Sequence, residues 1–345
     1  MKQSEQYTKD SIATAAQAIR EGKLVAFPTE TVFGLGAIAN NDLAVQSVFK
    51  IKGRPNDNPL IVHVSSIEEA TKFTKQLNKQ AESLMKAFWP GPLTIIVPVE
   101  PGIFAQSVTA GLDTVGLRMP DNKLTLELIR EVGFPLVGPS ANLSGKPSPT
   151  TINHVLHDFN GEIEGVLRND VPLTQIGVES TVVYPTIDSV QILRPGAITK
   201  SQLESVVDVP VIEKSVEQQL KQNEIMSPGV KYTHYSPKQP VYLVSYTHTL
   251  DDWGNIIKSQ LQGYKLGILA SDEVLNYLTR NNIMFESSFS LGKEGDIQSA
   301  TRRLYAGLRE LEETACDIII AEGIEPSERG HAYMNRLSKA ADYKI

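Results

Sequence analysis

A proline-rich segment without hydrophobic periodicity separates two parts of this chain. Residues 208–240 carry Pro210, Pro228, Pro237 and Pro240 and show neither a helical nor a strand pattern, which is typical of a linker. The chain has 345 residues, more than the roughly 250–300 at which one hydrophobic core usually stops growing. The sequence therefore predicts a large domain over residues 1–205, a linker over 206–238 and a small domain over 239–345.

The two parts differ in how helical and extended patterns are arranged. Before the linker, LVAF, LTIIVPV, TVGLRM and VQILRP predict strands, and residues 11–21 predict a helix that Gly22 ends. Several strands follow one another with only turns between them, which favours a mixed sheet flanked by helices. Beyond the linker, VYLVSY, KLGILAS and CDIIIAEG alternate with helical stretches, which predicts a small Rossmann-like α/β domain.

Charge and cysteine content exclude several classes of protein. Lys and Arg total 33 against 40 for Asp and Glu, a net charge of -7, which disfavours non-specific binding to polyanions but allows a local basic pocket. The single cysteine, Cys316, excludes an intramolecular disulfide and a cysteine-based zinc site. The sequence shows neither a signal-like N-terminus nor an apolar run near the roughly 20 residues of a membrane span, so we expect a cytoplasmic protein without a membrane segment.

Two motif-like matches fail on their context. Gly34, Gly36 and Ala39 satisfy a dinucleotide-binding pattern, yet a basic turn stands where the acidic ribose-binding residue should follow. Ser140 lies in a near match to a nucleophile elbow, but Asn142 replaces the glycine that the strained turn requires. Neither dinucleotide binding nor serine hydrolysis is therefore expected.

Two segments of the first domain place polar side chains where open sheets bind ligands. In PTETVFGLG a strand delivers four residues, Pro28, Thr29, Glu30 and Thr31, into a turn that we assign to the FGLG glycines. A ligand site and a helix cap explain the hydroxyls of this segment equally well. In KIKGRPNDNPLIVHV, Lys50, Lys52 and Arg54 surround a rigid Gly-Arg-Pro turn. A mobile ammonium and a planar guanidinium are the usual pair for a polyphosphate, and the rigid turn disfavours a merely solvated charged face.

Three later segments complete a predicted pocket. Arg118 interrupts the apolar strand TVGLRM, so it needs an anionic partner, either a structural carboxylate or one from a ligand. VGPSANLSGKPSPT supplies serines and an asparagine on a backbone that can approach phosphate closely, and ESTVVYP and LRPG add Ser180 and Arg194. Without an evident nucleophile–base triad, this set suits phosphoryl or nucleotidyl transfer from a nucleoside triphosphate with Mg²⁺, which depends on positioning and charge.

These motifs occur together in a known order. PTETVFGLG, KIKGRP, PSANLSGKPS, ESTVV and LRPG resemble the YrdC-like family over about residues 10–205, and SPGVKYTHYSP followed by an α/β domain is similar to the family's long two-domain form. The resemblance implies a YrdC-like twisted mixed sheet and a nucleotidyltransferase. With Mg²⁺ and no organic cofactor, such an enzyme condenses L-threonine, bicarbonate and ATP into L-threonylcarbamoyladenylate and pyrophosphate. It further implies a downstream tRNA threonylcarbamoyltransferase as partner and a weak contact of this chain with tRNA.

The resemblance also implies roles for individual residues. An L-threonine site would be formed by Thr31, His63, Arg118, Gly138 and Ser180, with Arg118 on the substrate carboxylate. A larger polar set would contact ATP: Lys50, Lys52, Arg54, Asn58, Thr114, Ser140, Asn142, Ser148, Arg194 and Tyr235. Lys52 and Arg54 would be catalytic, stabilising charge while an N-carboxylate of threonine attacks the α-phosphorus, and Tyr235 would cover the nucleotide as part of a lid in the linker. No protein ligand to a metal is identified.

Two other functions explain part of the pattern. A related O-carbamoyltransferase module also makes a carbamoyl adenylate, but it comes with cysteine-rich zinc modules that a single cysteine excludes. An RNA-binding or regulatory YrdC-like protein without synthase activity is the other alternative. The net charge of -7 and the lack of aromatic residues interleaved with Arg/Lys stripes disfavour it.

Overall fold

The computed structural model describes residues 3–56, 58–168, 173–214 and 235–345. These residues form two compact units. Unit 1 comprises residues 3–144, 149–175 and 179–214, and unit 2 comprises residues 145–148, 176–178 and 235–345, apart from the gaps just given. The domain boundaries predicted at residues 205 and 238 stay predictions, because much of the predicted linker, residues 215–234, lies outside the described residues.

Unit 1 alternates strands and helices along the chain. Its helices are α1 (Ile12–Arg20), α2 (Asp42–Lys52), α3 (Ile67–Phe73), α4 (Lys79–Phe88), α5 (Gln106–Thr109), α6 (Lys123–Val132), α7 (Ile152–Phe159) and α8 (Lys200–Glu204). Its strands are β1 (Glu5–Tyr7), β2 (Val25–Phe27), β3 (Gly34–Ile38), β4 (Ile61–His63), β5 (Leu93–Pro98), β6 (Thr114–Arg118), β7 (Leu136–Val137), β8 (Gly165–Leu167), β9 (Thr181–Pro185), β10 (Val190–Arg194) and β11 (Val211–Glu213). The helix predicted over residues 11–21 is α1, and the four predicted strand runs named above contain β2, β5, β6 and β10.

The strands of unit 1 form an 11-stranded sheet in the order β1-β8-β2-β3-β7-β4-β6-β5-β9-β10-β11. β4 runs parallel to β6 and β5 runs parallel to β9, whereas β2 with β3 and β5 with β6 are antiparallel. Parallel neighbours need crossover connections, whereas antiparallel neighbours can be joined by short turns. The predicted mixed sheet with flanking helices is confirmed.

Two hydrophobic cores cover opposite faces of this sheet. Val25 and Phe27 of β2 belong to the core that includes residues of α1 and α6, whereas Ala26 between them belongs to the core that includes residues of α2 and α4. Successive strand residues point to opposite faces, so a strand covered on both sides must be apolar at every position. This explains why VAF and the middle of LTIIVP are continuous apolar runs. Burial of each large apolar side chain stabilises the folded state by about 1.5–3 kcal/mol.

Strand β3 contradicts the prediction that FGLG forms a turn. Gly36 of β3 faces Val25 of β2, and a β-carbon at Gly36 would lie only 2.6 Å from the Val25 carbonyl oxygen. Glycine is therefore present because the two backbones approach closely, not because the chain turns. Strand β11 was also not predicted. It lies inside the segment that we expected to be a linker, and it pairs parallel with β10.

Unit 2 is built on a five-stranded parallel sheet in the order β14-β13-β15-β12-β16. Its strands are β12 (Val241–Val244), β13 (Leu266–Ala270), β14 (Ser287–Ser290), β15 (Ile318–Glu322) and β16 (Tyr343–Lys344). Its helices are α9 (Leu250–Gln260), α10 (Asp272–Arg280), α11 (Ile297–Glu312) and α12 (His331–Ala340). This confirms the predicted second α/β domain, and Cys316 is buried just before β15. In the described part of the chain, every helix is too short or too polar to cross a bilayer.

Unit 2 also contains a short segment from the middle of the chain, residues 145–148. Lys146 forms an ion pair with the carboxylate of Glu312 at the end of α11. One turn earlier in α11, Arg309 Nε donates a 2.9 Å hydrogen bond to the Pro147 carbonyl. The GKPS stretch is therefore fixed by charged side chains of α11.

Candidate functional site

The ends of two parallel strands bring three of the predicted threonine-site residues together. His63 and Arg118 are the last residues of β4 and β6 and face each other in the strand register. Gly138 directly follows β7, and its N–H donates a 3.0 Å hydrogen bond to the Ile61 carbonyl. A β-carbon at Gly138 would lie 2.7 Å from the His63 ring. His63, Arg118 and Gly138 are therefore immediate neighbours.

Arg118 has a carboxylate partner within the protein. Its Nη2 lies 2.7 Å from Glu30 Oε1, and both side chains are buried. Its Nε donates a 3.3 Å hydrogen bond to the Gly91 carbonyl. The anionic partner that the sequence left open is thus a structural carboxylate in this structure, while a contact between Arg118 and a substrate carboxylate stays a prediction.

His63 is held in its neutral form. Burial, reinforced by the positive charge of Arg118, keeps the pKa of His63 well below its usual value. Phe27 packs edge-on against the imidazole with ring centroids 5.3 Å apart. Among the described residues Nδ1 has no hydrogen-bond partner. Depending on the tautomer, this nitrogen can donate a hydrogen bond to a ligand hydroxyl or accept one from it, and the ring stays neutral.

Thr31 lies in a tightly held loop between β2 and β3. The Thr29 hydroxyl accepts a 3.1 Å hydrogen bond from the Thr31 N–H, and the two threonine hydroxyls lie 2.8 Å apart. From outside the loop, the Thr125 hydroxyl donates a 2.5 Å hydrogen bond to the Pro28 carbonyl. These contacts explain the Thr29 hydroxyl as a turn former, and they fix the position of Glu30 between the two threonines.

Lys52 is buried at the end of α2 and joins two of the predicted motifs. Its Nζ donates to the Ser140 carbonyl at 2.5 Å and to the Asn142 carbonyl at 2.6 Å. The Ser144 N–H donates in turn to the Lys52 carbonyl at 2.8 Å. Lys50 is exposed, because a residue two positions earlier lies on the opposite side of the helix.

Ser180 and Arg194 form a second buried polar cluster beside β9 and β10. Arg194 Nη2 donates to the Ser180 carbonyl at 3.0 Å and to its hydroxyl at 3.1 Å. The Thr94 hydroxyl lies 2.8 Å from the Ser180 hydroxyl. Thr94 was not predicted, although a threonine inside the apolar strand LTIIVP was a usable signal.

The other predicted residues of unit 1 are more dispersed. Asn58 is buried, and neither of its amide atoms has a hydrogen-bond partner among the described residues. Arg54 Nη2 donates to the Pro59 carbonyl at 3.4 Å. Thr114 begins β6 while Arg118 ends it, so these two residues lie about 13 Å apart along the strand. The structure does not bring Thr114 beside His63 and Arg118.

Two predicted ATP contacts, Ser148 and Tyr235, fall in unit 2. Ser148 is buried at the end of the GKPS stretch. The Tyr235 ring is buried with its centroid 5.3 Å from that of Tyr305, and the Arg336 guanidinium lies 5.9 Å from its centroid. The rest of the predicted lid, residues 215–234, lies outside the described residues.

Buried polar atoms without hydrogen-bond partners concentrate at the ends of β4 and β6. Within the described ranges they include both carboxylate oxygens of Glu30, Nη2 of Arg118 and Nδ1 of His63. Arg118 Nη2 and Glu30 Oε1 form an ion pair with each other, whereas Glu30 Oε2 and His63 Nδ1 have no partner within these ranges. Leaving such an atom unpaired costs about 1–3 kcal/mol, which makes this cluster a candidate site for a polar ligand. The described residues contain no group of three or more His, Cys, Asp or Glu side chains that could hold a metal ion.

Comparison with known proteins extends over nearly the whole chain. A family profile described as "Telomere recombination" matches residues 17–196, and one described as "Threonylcarbamoyl-AMP synthase, C-terminal domain" matches residues 198–342. A Bacillus subtilis protein named threonylcarbamoyl-AMP synthase is 43% identical over 339 residues, covering 97% of this chain and 94% of that protein. A Pyrococcus abyssi protein of the same name is 41% identical over 339 residues, covering 97% and 95%.

A solved structure is similar over the same extent. The crystal structure of P. abyssi Sua5 complexed with L-threonine matches with a TM-score of 0.85 and 38% sequence identity. The match covers 99% of this chain and 98% of that one. The likeness therefore includes both α/β parts of the chain.

Proposed function

Because the chain belongs to the Sua5/YrdC family in its two-domain form, we propose that it synthesises L-threonylcarbamoyladenylate. The reaction condenses L-threonine, bicarbonate and ATP and releases pyrophosphate and water, which makes the protein a nucleotidyltransferase. The observation that supports it best is the buried cluster of Arg118, Glu30 and His63. Its ion pair offers both signs of charge to a small zwitterionic ligand, and Glu30 Oε2 and His63 Nδ1 have no hydrogen-bond partner among the described residues. The P. abyssi structure, which holds L-threonine, supports the same substrate.

Threonine binding would use the predicted residues in distinct ways. The Arg118 guanidinium would bind the substrate carboxylate, since a planar donor pair matches carboxylate geometry. His63 is neutral, and its Nδ1 has no hydrogen-bond partner among the described residues. This nitrogen would donate a hydrogen bond to the threonine hydroxyl or accept one from it. Thr31 and Ser180 would add hydroxyl contacts. Serine lacks only the threonine methyl group, so discrimination against serine requires an apolar contact, worth about 1–3 kcal/mol.

ATP binding would rely on the basic and amide residues. Lys52, Arg54 and Arg194 supply positive charge, and Asn58, Ser140 and Asn142 supply neutral hydrogen-bonding groups. Mg²⁺ would enter with ATP as part of the substrate, held by phosphate oxygens and water, which is its usual mode of binding. The donor set fits this mode, because the described residues present hydroxyls, amides and cations at these motifs and no cluster of metal-binding side chains.

The proposed reaction has two chemical steps. The threonine amine attacks the carbon of bicarbonate, forming a carbamate and water. The carbamate oxygen then attacks the α-phosphorus of ATP, and pyrophosphate leaves. Lys52 and Arg54 would stabilise the charge on the phosphates, which supplies most of the catalysis in phosphoryl and nucleotidyl transfer. The role of Tyr235 in covering the nucleotide stays part of the proposal, as do the downstream tRNA threonylcarbamoyltransferase, a weak tRNA contact and a cytoplasmic location.

Pyrophosphate release tests the proposal directly. With Mg²⁺-ATP and bicarbonate, the purified full-length protein is expected to release pyrophosphate only when L-threonine is added. Equal release with L-serine, or no release with any amino acid, contradicts the proposal. Binding of tRNA without pyrophosphate release would favour the alternative of an RNA-binding or regulatory protein.

A further inference from the structure

We propose that Glu30 binds the ammonium group of L-threonine and accepts the proton that the amine loses before it reacts. This inference rests on the proposed function and adds a residue to it. Glu30 was not among the residues that the sequence motifs assigned to either substrate. Its position beside Arg118 became evident only from the fold.

The carboxylate of Glu30 has hydrogen-bonding capacity that the protein does not use. Glu30 is 4% exposed, and neither of its oxygens has a hydrogen-bond partner among the described residues. Its Oε1 forms an ion pair with Arg118 Nη2 at 2.7 Å, whereas no donor among the described residues lies against Oε2. An ionised carboxylate has about four acceptor positions. Because only Arg118 lies against this carboxylate among the described residues, its remaining acceptor positions are available to a ligand donor.

The loop around Glu30 holds this carboxylate in place. Thr29 and Thr31 on either side of it are joined through their hydroxyls and the Thr31 N–H, and Thr125 fixes the Pro28 carbonyl. A group that must meet a substrate atom works best when its position is set before binding. The PTET loop therefore presents Glu30 as a fixed acceptor.

Glu30 and Arg118 together match the charges of an amino acid. The substrate carboxylate would bind the Arg118 guanidinium, and the substrate ammonium would bind the Glu30 carboxylate. Each charge of the amino acid would then face an opposite charge of the protein. A carboxylate arriving alone would leave this buried site with a net negative charge, which is costly. The ammonium removes that charge, and neutral His63 adds none. Recognition of a free α-amino acid follows from this arrangement.

The same contact gives the ammonium proton a destination. The ammonium N–H bond breaks, an O–H bond forms on Glu30, and the electron pair stays on nitrogen. The neutral amine then attacks bicarbonate, the N–C bond forms, and hydroxide leaves with the second amine proton as water. Glu30 releases its proton to solvent when the product leaves. Threonine ammonium and bicarbonate thus yield carbamate, water and one proton.

Calorimetric titration of the full-length Glu30→Gln protein tests the ammonium contact. The two probes are L-threonine and its deaminated analogue, in which a hydroxyl replaces the amino group. L-threonine affinity should fall roughly ten- to hundredfold, because a charged hydrogen bond is lost. Affinity for the analogue should not fall, because it has no ammonium for Glu30 to bind and Glu30→Gln removes the buried negative charge that opposes its carboxylate. Equal losses for both ligands would overturn the proposal, since Glu30 would then act only by holding Arg118. Glu68→Gln, an exposed change in α3, is the matched control.

Turnover tests the proton step separately. At saturating L-threonine, Glu30→Gln should lower kcat by roughly a hundredfold or more, since general-base contributions are of this size. An unchanged kcat would overturn the proton role. If Glu30→Gln fails to fold, Glu30→Asp keeps the charge but draws the carboxylate back by one methylene, and it must still show a selective loss for L-threonine over the analogue.

The proposed function and this inference fail in different ways. Wild-type protein that releases no pyrophosphate with L-threonine refutes the function. Active wild-type protein whose Glu30 variants bind both ligands equally less well refutes only the role of Glu30.

Discussion

Replacing Lys52 with methionine should destabilise unit 1, because the buried ammonium holds two backbone carbonyls. Lys52 is 3% exposed, and its Nζ lies 2.5 Å from the Ser140 oxygen and 2.6 Å from the Asn142 oxygen. Losing this donor costs about 1–3 kcal/mol for each carbonyl left unpaired. Methionine has a similar length and is cheaper to bury, which offsets part of the loss. We expect the free energy of unfolding to fall by about 2–4 kcal/mol.

The two tryptophans of the chain make this measurable. Trp89 lies in unit 1 and Trp253 in unit 2, and both are buried. In a Trp253→Phe background, tryptophan fluorescence during urea titration therefore follows the unfolding of unit 1 alone. Lys50→Met is the matched control, since Lys50 is exposed on the same helix. Its free energy of unfolding should change by less than about 0.5 kcal/mol.

Equal unfolding free energies for the Lys52→Met and Lys50→Met proteins would refute this reasoning. The buried ammonium would then contribute nothing to holding Ser140 and Asn142. The expected difference also affects how activity is interpreted. A Lys52 variant that makes no threonylcarbamoyl-AMP supports a catalytic role only after its folded fraction has been measured at the assay temperature.

Three further perturbations have defined outcomes. Gly138→Ala places a β-carbon 2.6 Å from the buried Phe27 ring, which should cost about 1–3 kcal/mol of stability and weaken L-threonine binding; an unchanged melting temperature and affinity contradict this. The pKa of His63 is lowered in the folded protein, so the unfolded chain takes up a proton that the folded chain does not. Stability should therefore fall as the pH drops below about 6.5, by up to about 1.4 kcal/mol per pH unit, and His63→Gln should reduce the slope of a urea-unfolding series across this range; a slope equal to wild type contradicts it. Glu312→Gln weakens the acceptor of a 2.8 Å hydrogen bond from the Lys238 N–H. Hydrogen exchange of the Lys238 amide, measured by mass spectrometry, should therefore accelerate severalfold, and exchange as slow as in the wild type contradicts this prediction.

Strands with their own hydrophobic pattern were predictable, and strands that depend on neighbours were not. TVGLRM and VQILRP carry apolar residues at most positions, and the observed β6 and β10 lie within them. β1 and β11 are three residues long and largely exposed, and β3 contains two glycines. Such segments become strands because a paired backbone lies next to them, as Val25 does for Gly36. A pattern read along one segment contains no information about that partner.

The site divides in the same way between what motifs reveal and what topology decides. The sequence alone indicated that Arg118 needs an anionic partner. It also indicated that the basic residues around Lys52 are more than a solvated charged face. The partners could not be read from spacing, because the acceptors of Lys52 lie 88 and 90 residues away and Glu30 reaches Arg118 only through the order of the sheet. These internal partners affect ligand binding, because a cation that already has a partner inside the protein binds a ligand differently from a cation without one. At the ends of β4 and β6, the protein pairs Arg118 with Glu30 but leaves acceptor positions on the carboxylate, so a ligand there has to bring positive charge as well as negative.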